Sequence, residues 1–298
     1  MNHRKQQFVS GQELWEWRQY ALETAIAANV PQSEVDWLLR EAANLDRLAL
    51  RLQSFKDRPQ VQLQMSLSEL TQLWQQRIDA RKPVQYLMGT ASWRYFSLAV
   101  SSDVLIPRPE TEYLIELAET CGDNASTQHW ADLGTGSGAI ALGLAEVFPA
   151  AEIHAVDCSS SALAIAQLNA QHLGFADRIH FYHGSWWQPL AALKGQLSGM
   201  VSNPPYIPSS LIPQLQPEVA WHEPHLALDG GSDGLDCIRH LVETAPDYLQ
   251  PGGVWMIEMM AGQADSVAQL LQDRGSYGDI QIHADLAGID RFAIAHRL

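Results

Sequence analysis

Asp132-Leu133-Gly134-Thr135-Gly136-Ser137-Gly138-Ala139 is the stretch on which the reading of the fold depends. Its lead-in, residues 129–133, has strand character, three glycines alternate after it, and residues 139–147 continue as an apolar helix pattern. Glycine at every second position lets the backbone turn sharply and approach a ligand, and the helix that follows offers unpaired N–H groups. Further along, the alternation persists, with strands over 152–157, 179–184, 199–202, 253–259, 279–283 and 291–296 and helices over 159–173, 236–249 and 263–272. This pattern predicts the α/β class: a doubly wound, mostly parallel seven-stranded sheet with helices on both faces.

Upstream the period changes. Ser10-x-x-Glu13, Ser33-x-x-Asp36 and Ser66-x-x-Glu69 read as helix starts, each followed by apolar residues three and four apart, and a further apolar stretch covers 45–52. Residues 1–82 therefore read as an N-terminal helical bundle, and 83–107 as a linker. Within that linker the β-prone runs 95–100 and 104–106 predict a hairpin that turns at Ser101-Ser102-Asp103. Pro107 and Pro109 stiffen the chain before a helix over 111–120, which places the α/β domain at 108–298.

Composition narrows the class. At about 150 residues per domain, 298 residues make roughly two domains, each able to bury a core. No run of about 18 consecutive apolar residues offers a membrane span, and residues 1–7 carry no apolar signal core, so a cytoplasmic protein without a membrane partner is expected. Cys121, Cys158 and Cys237 are odd in number and form no C-x-x-C pair, which points to reduced thiols. The formal charge is −15, and it is uneven: 11 of the 19 basic residues but only 10 of the 34 acidic ones fall in residues 1–88, leaving −16 for the rest. Such a surface repels a phosphate backbone, so no direct nucleic-acid contact is expected.

The glycine turn alone leaves two ligands open. Gly134-x-Gly136-x-x-Ala139 satisfies a dinucleotide fingerprint, and Asp157 ends the next strand where a ribose-binding acid belongs, so nicotinamide and S-adenosylmethionine stand level. Asn203-Pro204-Pro205-Tyr206, after the fourth strand, decides between them. Two prolines immobilise that loop and remove both backbone donors, leaving carbonyls as acceptors beside the Asn203 side chain. A planar NH2 group fits there, donating to Asn203 and to the Pro204 carbonyl while Tyr206 stacks on its face. Fixing both N–H bonds aims the weak nitrogen lone pair at an electrophile, here the sulfonium methyl of S-adenosylmethionine. His222 and His225 flank Glu223 without a third ligand of matching geometry, so no metal is expected. Arg108, Glu110 and Glu112 read either as residues that orient the substrate loop or as solvated charges of a proline-rich linker, and are left out of the site.

The chain resembles the release-factor glutamine methyltransferase family, which modifies the glutamine of the Gly-Gly-Gln loop in class-1 peptide chain release factors. The resemblance is carried by Pro83-Val84-Gln85-Tyr86, Leu105-Ile106-Pro107-Arg108-Pro109-Glu110-Thr111-Glu112, the two loops above, Glu223-Pro224 leading into 227–235, and Asp285-Leu286-Ala287-Gly288 with Arg291. It implies an S-adenosylmethionine-dependent methyltransferase fold, a helical substrate-docking domain and a monomer. Gly134, Thr135, Gly136, Ser137 and Gly138 would wrap the methionine part of the cofactor, Asp157 would hold the ribose, and Trp186 would pack beside adenine. Asn203 would face cofactor and substrate, with Pro204, Pro205 and Tyr206 completing the amide site. The sequence departs from the family at Ser185, where an acidic residue is common, and at Met259-Met260, where Glu258 is often followed by x-Gly. The Arg-Pro-Glu-Thr-Glu form favours release factors over the sibling family that acts on a ribosomal protein. DNA adenine N6-methylation and a non-catalytic nucleotide-binding module or nicotinamide oxidoreductase are the other readings.

Overall fold

The computed structural model describes residues 7–122 and 128–298, and the chain divides into two compact units after Gly89. Residues 1–6, read above as part of an N-terminus without a signal core, lie outside the described residues. The first unit holds β1 (Gln7–Val9), α1 (Gly11–Ala27), α2 (Ser33–Ala43), α3 (Arg47–Leu52), β2 (Val61–Leu63), α4 (Leu67–Asp79) and α5 (Val84–Met88). Ser10 and Ser66 each form a full capping box with the glutamate three residues on, satisfying donors that a helix start leaves bare. Ser33 does not cap. It is the first helical residue of α2, and the helix starts instead on backbone bonds from Glu34 to Pro31 and Val35 to Gln32. Leu14, Trp17, Leu38, Leu39, Leu70 and Trp74 fill the core, each contributing roughly 1.5–3 kcal/mol of burial. The antiparallel pairing of β1 with β2 was not legible, because three residues are too few to show an alternation.

The second unit opens with an antiparallel hairpin, β3 (Thr90–Trp93) and β4 (Phe96–Ala99). Its turn is Arg94-Tyr95, with Arg94 at φ 51°, so the hairpin expected around Ser101–Asp103 is displaced by one strand. Val104 and Ile106 are apolar because they are buried, at 1% and 6% exposure, in a segment that pairs with no strand. Then follow α6 (Tyr113–Cys121), β5 (His129–Leu133), α7 (Ala139–Val147), β6 (Glu152–Asp157), α8 (Ser160–Leu173), β7 (Ile179–His183), β8 (Leu197–Ser202), α9 (Pro217–His222), α10 (Asp236–Thr244), β9 (Leu249–Glu258), α11 (Ala264–Arg274), β10 (Tyr277–Ala284) and β11 (Asp290–Arg297).

Seven of these strands form one sheet in the order β10-β11-β9-β8-β5-β6-β7. Pairings among β5 to β9 are parallel, and β11 runs antiparallel to both neighbours. Alternate residues of β5 feed opposite cores: Trp130 packs with α6, α7 and α8, while Ala131 and Leu133 pack with α10 and α11. Gly199 of β8 is required by this packing, since a Cβ there would lie 2.4 Å from the Trp130 ring. The sheet order reverses between β5 and β8, and a crevice outside the strand C-termini at such a point is where open α/β sheets bind ligands.

Candidate active site

At that crevice lies a cavity of 310 Å³. Its walls include Gly134, Thr135, Gly136 and Ser137 after β5, Asp157 after β6, Trp186 after β7, and Asn203 and Pro205 after β8. Leu105, Pro107, Arg108 and Thr111 close another side. Both sequence motifs thus meet in one space because the strands that carry them are neighbours. Ser202 fastens them further, its hydroxyl donating to the Leu133 carbonyl at 2.6 Å.

The glycine loop is held from below and from the side. Gly134 and Thr135 N–H groups donate to the Val156 carbonyl, and Gly136 N–H donates to Asp157 Oδ2 at 2.8 Å. Asp157 Oδ1 accepts from Ser159 N–H at 2.8 Å, so this carboxylate already ties the loop to the start of α8. Asp132 is fully buried beneath the turn and accepts from Thr135 Oγ1 at 2.6 Å and from Ala141 N–H at 3.0 Å. Burial pushes its carboxyl up to about 7, against the pull of those two bonds. Buried Asn169 donates to the Ser137 carbonyl at 2.8 Å and exchanges bonds with the Ala99 backbone, joining the loop to the hairpin. Sequence reasoning singled out neither Asp132 nor Asn169 as an anchor.

Three of the expected residues sit behind the cavity wall. Gly138 caps α7 in the left-handed region. Pro204 is buried. Tyr206 packs partly on the core beside α10 and α11, and its hydroxyl donates to Glu258 Oε1 at 2.9 Å. Asn203 Nδ2 donates to Thr111 Oγ1 at 3.3 Å, and Thr111 donates to Glu258 Oε2 at 2.6 Å. Among the described residues the Asn203 carbonyl oxygen accepts no hydrogen bond, and neither does the Pro204 carbonyl. The loop beyond is strapped by Gln263, which donates to the carbonyls of Tyr206 and Gly234.

Of the two readings of Arg108, the solvated linker charge does not hold. Arg108 donates to buried Glu223 at 2.7 Å, drawing the segment before Pro224 against the proline-rich stretch at the cavity edge. Burial raises the Glu223 carboxyl, and Arg108 lowers it. Trp186 and Trp187 separate in role: Trp186, at φ 50°, reaches the cavity, whereas Trp187 is buried and stacks on Tyr248 at 4.6 Å. Away from the crevice, His129, Glu152 and His154 have metal-like proximity. The two rings lie within 24° of parallel with centroids 5.3 Å apart and nitrogens 3.0 Å apart. At that distance one ring nitrogen can donate to the other.

The model of the methyltransferase small domain matches residues 111–214. The release factor glutamine methyltransferase of Synechocystis sp. is 53% identical over 295 residues, spanning 98% of each chain. Its counterpart from Thermosynechococcus vestitus is 49% identical over 96% of this chain and 99% of its own, and that from Moorella thermoacetica is 39% identical over 90% and 92%. Among solved structures, the hMettl16 catalytic domain in complex with MAT2A 3'UTR hairpin 6 shares the fold, at TM-score 0.54 and 13% identity over 76% of this chain and 80% of that one. With near-complete coverage at such identities, the chain belongs to the release factor glutamine methyltransferase family.

Proposed function

We propose that this protein transfers the methyl group of S-adenosylmethionine to the side-chain amide nitrogen, N5, of the glutamine in the Gly-Gly-Gln loop of class-1 release factors. The observation that carries this reading is the loop whose Asn203 and Pro205 line the glycine-walled cavity, in which, among the described residues, neither the Asn203 side-chain oxygen nor the Pro204 carbonyl accepts a hydrogen bond. The cavity suits the cofactor: a Cβ on Gly136 would meet nothing within 4 Å, so the loop leaves open space where ligand and backbone can touch. Gly134 to Ser137 would hold the methionine part, Asp157 the ribose and Trp186 the adenine. When bound, S-adenosylmethionine supplies an electrophilic methyl group on a positively charged sulfur.

The chain's own contribution is orientation. Asn203 and Pro204 accept the two N–H bonds of the substrate amide, which directs its remaining lone pair toward the methyl group. Tyr206, its hydroxyl fixed by Glu258, sits behind the cavity wall and supports this loop from the core side. No side chain has to remove a proton first, because the methylated amide nitrogen is strongly acidic and releases one to water. A glycine-flanked glutamine fits a pocket walled by prolines and a tyrosine, since its neighbours have no side chains to exclude.

Labelled S-adenosylmethionine is therefore expected to leave its methyl on that glutamine, adding about 14 Da at one residue by mass spectrometry, the mass of the CH2 gained when methyl replaces hydrogen on the amide nitrogen. Glutamate in its place should be inert, having no N–H pair for the two acceptors. Label on another residue, or on DNA adenine alone, would overturn the substrate assignment; the net charge of −15 already opposes nucleic acid.

The N-terminal unit would dock the protein substrate. Its surface carries a groove lined by Arg18, Arg40, Arg47 and Arg51, and of these only Arg18 has a carboxylate partner among the described residues, Asp36. A chain lacking residues 1–89, once shown to melt cooperatively, should keep cofactor affinity and activity on a short Gly-Gly-Gln peptide but lose kcat/KM on the whole factor. Equal kcat/KM on the whole factor for both forms would remove the docking role.

A further inference from the structure

We propose that Thr111 and Glu258 are positioning residues whose hydrogen-bond direction decides which end of the Asn203 amide faces the substrate. This rests on the methyl-transfer reading above. Glu258 has no exposed surface, and its carboxylate only accepts: Oε1 takes the Tyr206 hydroxyl at 2.9 Å and Oε2 the Thr111 hydroxyl at 2.6 Å. Burial and the adjacent Glu258 push the Tyr206 hydroxyl well above its usual range, so it keeps the proton it donates. Burial raises the Glu258 carboxyl too, while the two hydroxyl bonds favour its charged form.

With its one proton committed to Glu258, Thr111 Oγ1 offers only lone pairs. The Asn203 group that meets it must then be the NH2, which it does at 3.3 Å. The carbonyl oxygen of the same amide is left toward the cavity, the end needed to accept a substrate N–H. A flipped amide would present N–H to N–H, and the substrate would lose its acceptor. Three elements distant in sequence therefore set one amide orientation: the segment before α6, the loop after β8 and the end of β9. Asn203, through Thr111, and Tyr206 behind it both hang on the same buried carboxylate.

Thr111→Val keeps the shape of the side chain and removes the hydroxyl. It should lower kcat about tenfold, the scale of one net hydrogen bond, with Kd for S-adenosylmethionine and KM for the release factor within about twofold of wild type, because valine has the same shape and keeps the cavity wall that Thr111 lines. Thr111→Ser, which restores the hydroxyl, should recover most of the loss, a rescue that a packing role for the γ-methyl would not give. If the valine variant does not melt cooperatively, Thr111→Ala set against Thr111→Ser carries the same comparison. Wild-type kcat in either hydroxyl-free variant, or an equal loss in the serine variant, overturns the positioning role. Absence of glutamine methylation by the wild-type protein would instead overturn the reading on which it rests.

Discussion

Asn203→Ala is expected to reduce kcat for methyl transfer by about 100- to 1000-fold, or roughly 2.7–4 kcal/mol, the scale of deleting one fixed hydrogen-bond partner in an enclosed reaction site. In the proposed site its side chain supplies one of the two acceptors, and among the described residues it bonds only to Thr111. Truncation therefore costs little packing and leaves Ser202, which fastens β8 to β5, in place. The cofactor Kd should change far less than kcat, since Asn203 is one of many residues around the cavity. Stopped-time label transfer at saturating release factor, alongside calorimetric titration with S-adenosylmethionine, separates the two quantities. An unchanged kcat would mean that the amide is aimed by something other than this loop.

Gly136→Val should raise the Kd for S-adenosylmethionine by at least about a hundredfold. The position has φ 54°, which a β-branched residue reaches only with strain of roughly 1–3 kcal/mol. The new side chain would project where a Cβ meets nothing within 4 Å, into the open cavity rather than into the core. The loss should thus appear in binding more than in stability. The same displacement would disturb the Gly136 N–H bond to Asp157, the residue placed at the ribose. Calorimetry on a variant with a cooperative melt gives the test, and wild-type affinity would remove this loop as the cofactor cradle.

Much of the α/β unit was readable because its physics is local. β5 and β6 are buried on both faces at their centres and so stand out as short apolar runs, and the helix read over 159–173 is α8, with Ser159 as its cap. The two loops were readable for the same reason, as contiguous motifs at strand ends. The hairpin was misread because its turn carries Arg94 in the left-handed region with no glycine, asparagine or aspartate to announce it. A buried but unpaired run, 104–106, then mimicked a strand. Arg108 was left between two readings, and Thr111 and Glu258 went unassigned, because their partners lie 115 and 147 residues away in the chain. Composition and spacing do not carry that information; it depends on which way each side chain points once the sheet has formed.

The central pairing of the sheet has a consequence for how the protein comes to function as it is made. β5 lies between β6, which follows it directly, and β8, whose Gly199 pairs with Trp130 only after the intervening chain has closed into a long loop. Such non-local pairing is slow relative to the helical contacts of the first unit. Until β8 has docked beside β5, the glycine turn lacks the wall that Asn203 and Pro205 give the cavity. A cofactor that occupies the cavity beside these strands stabilises the form in which β5 and β8 have paired, by mass action.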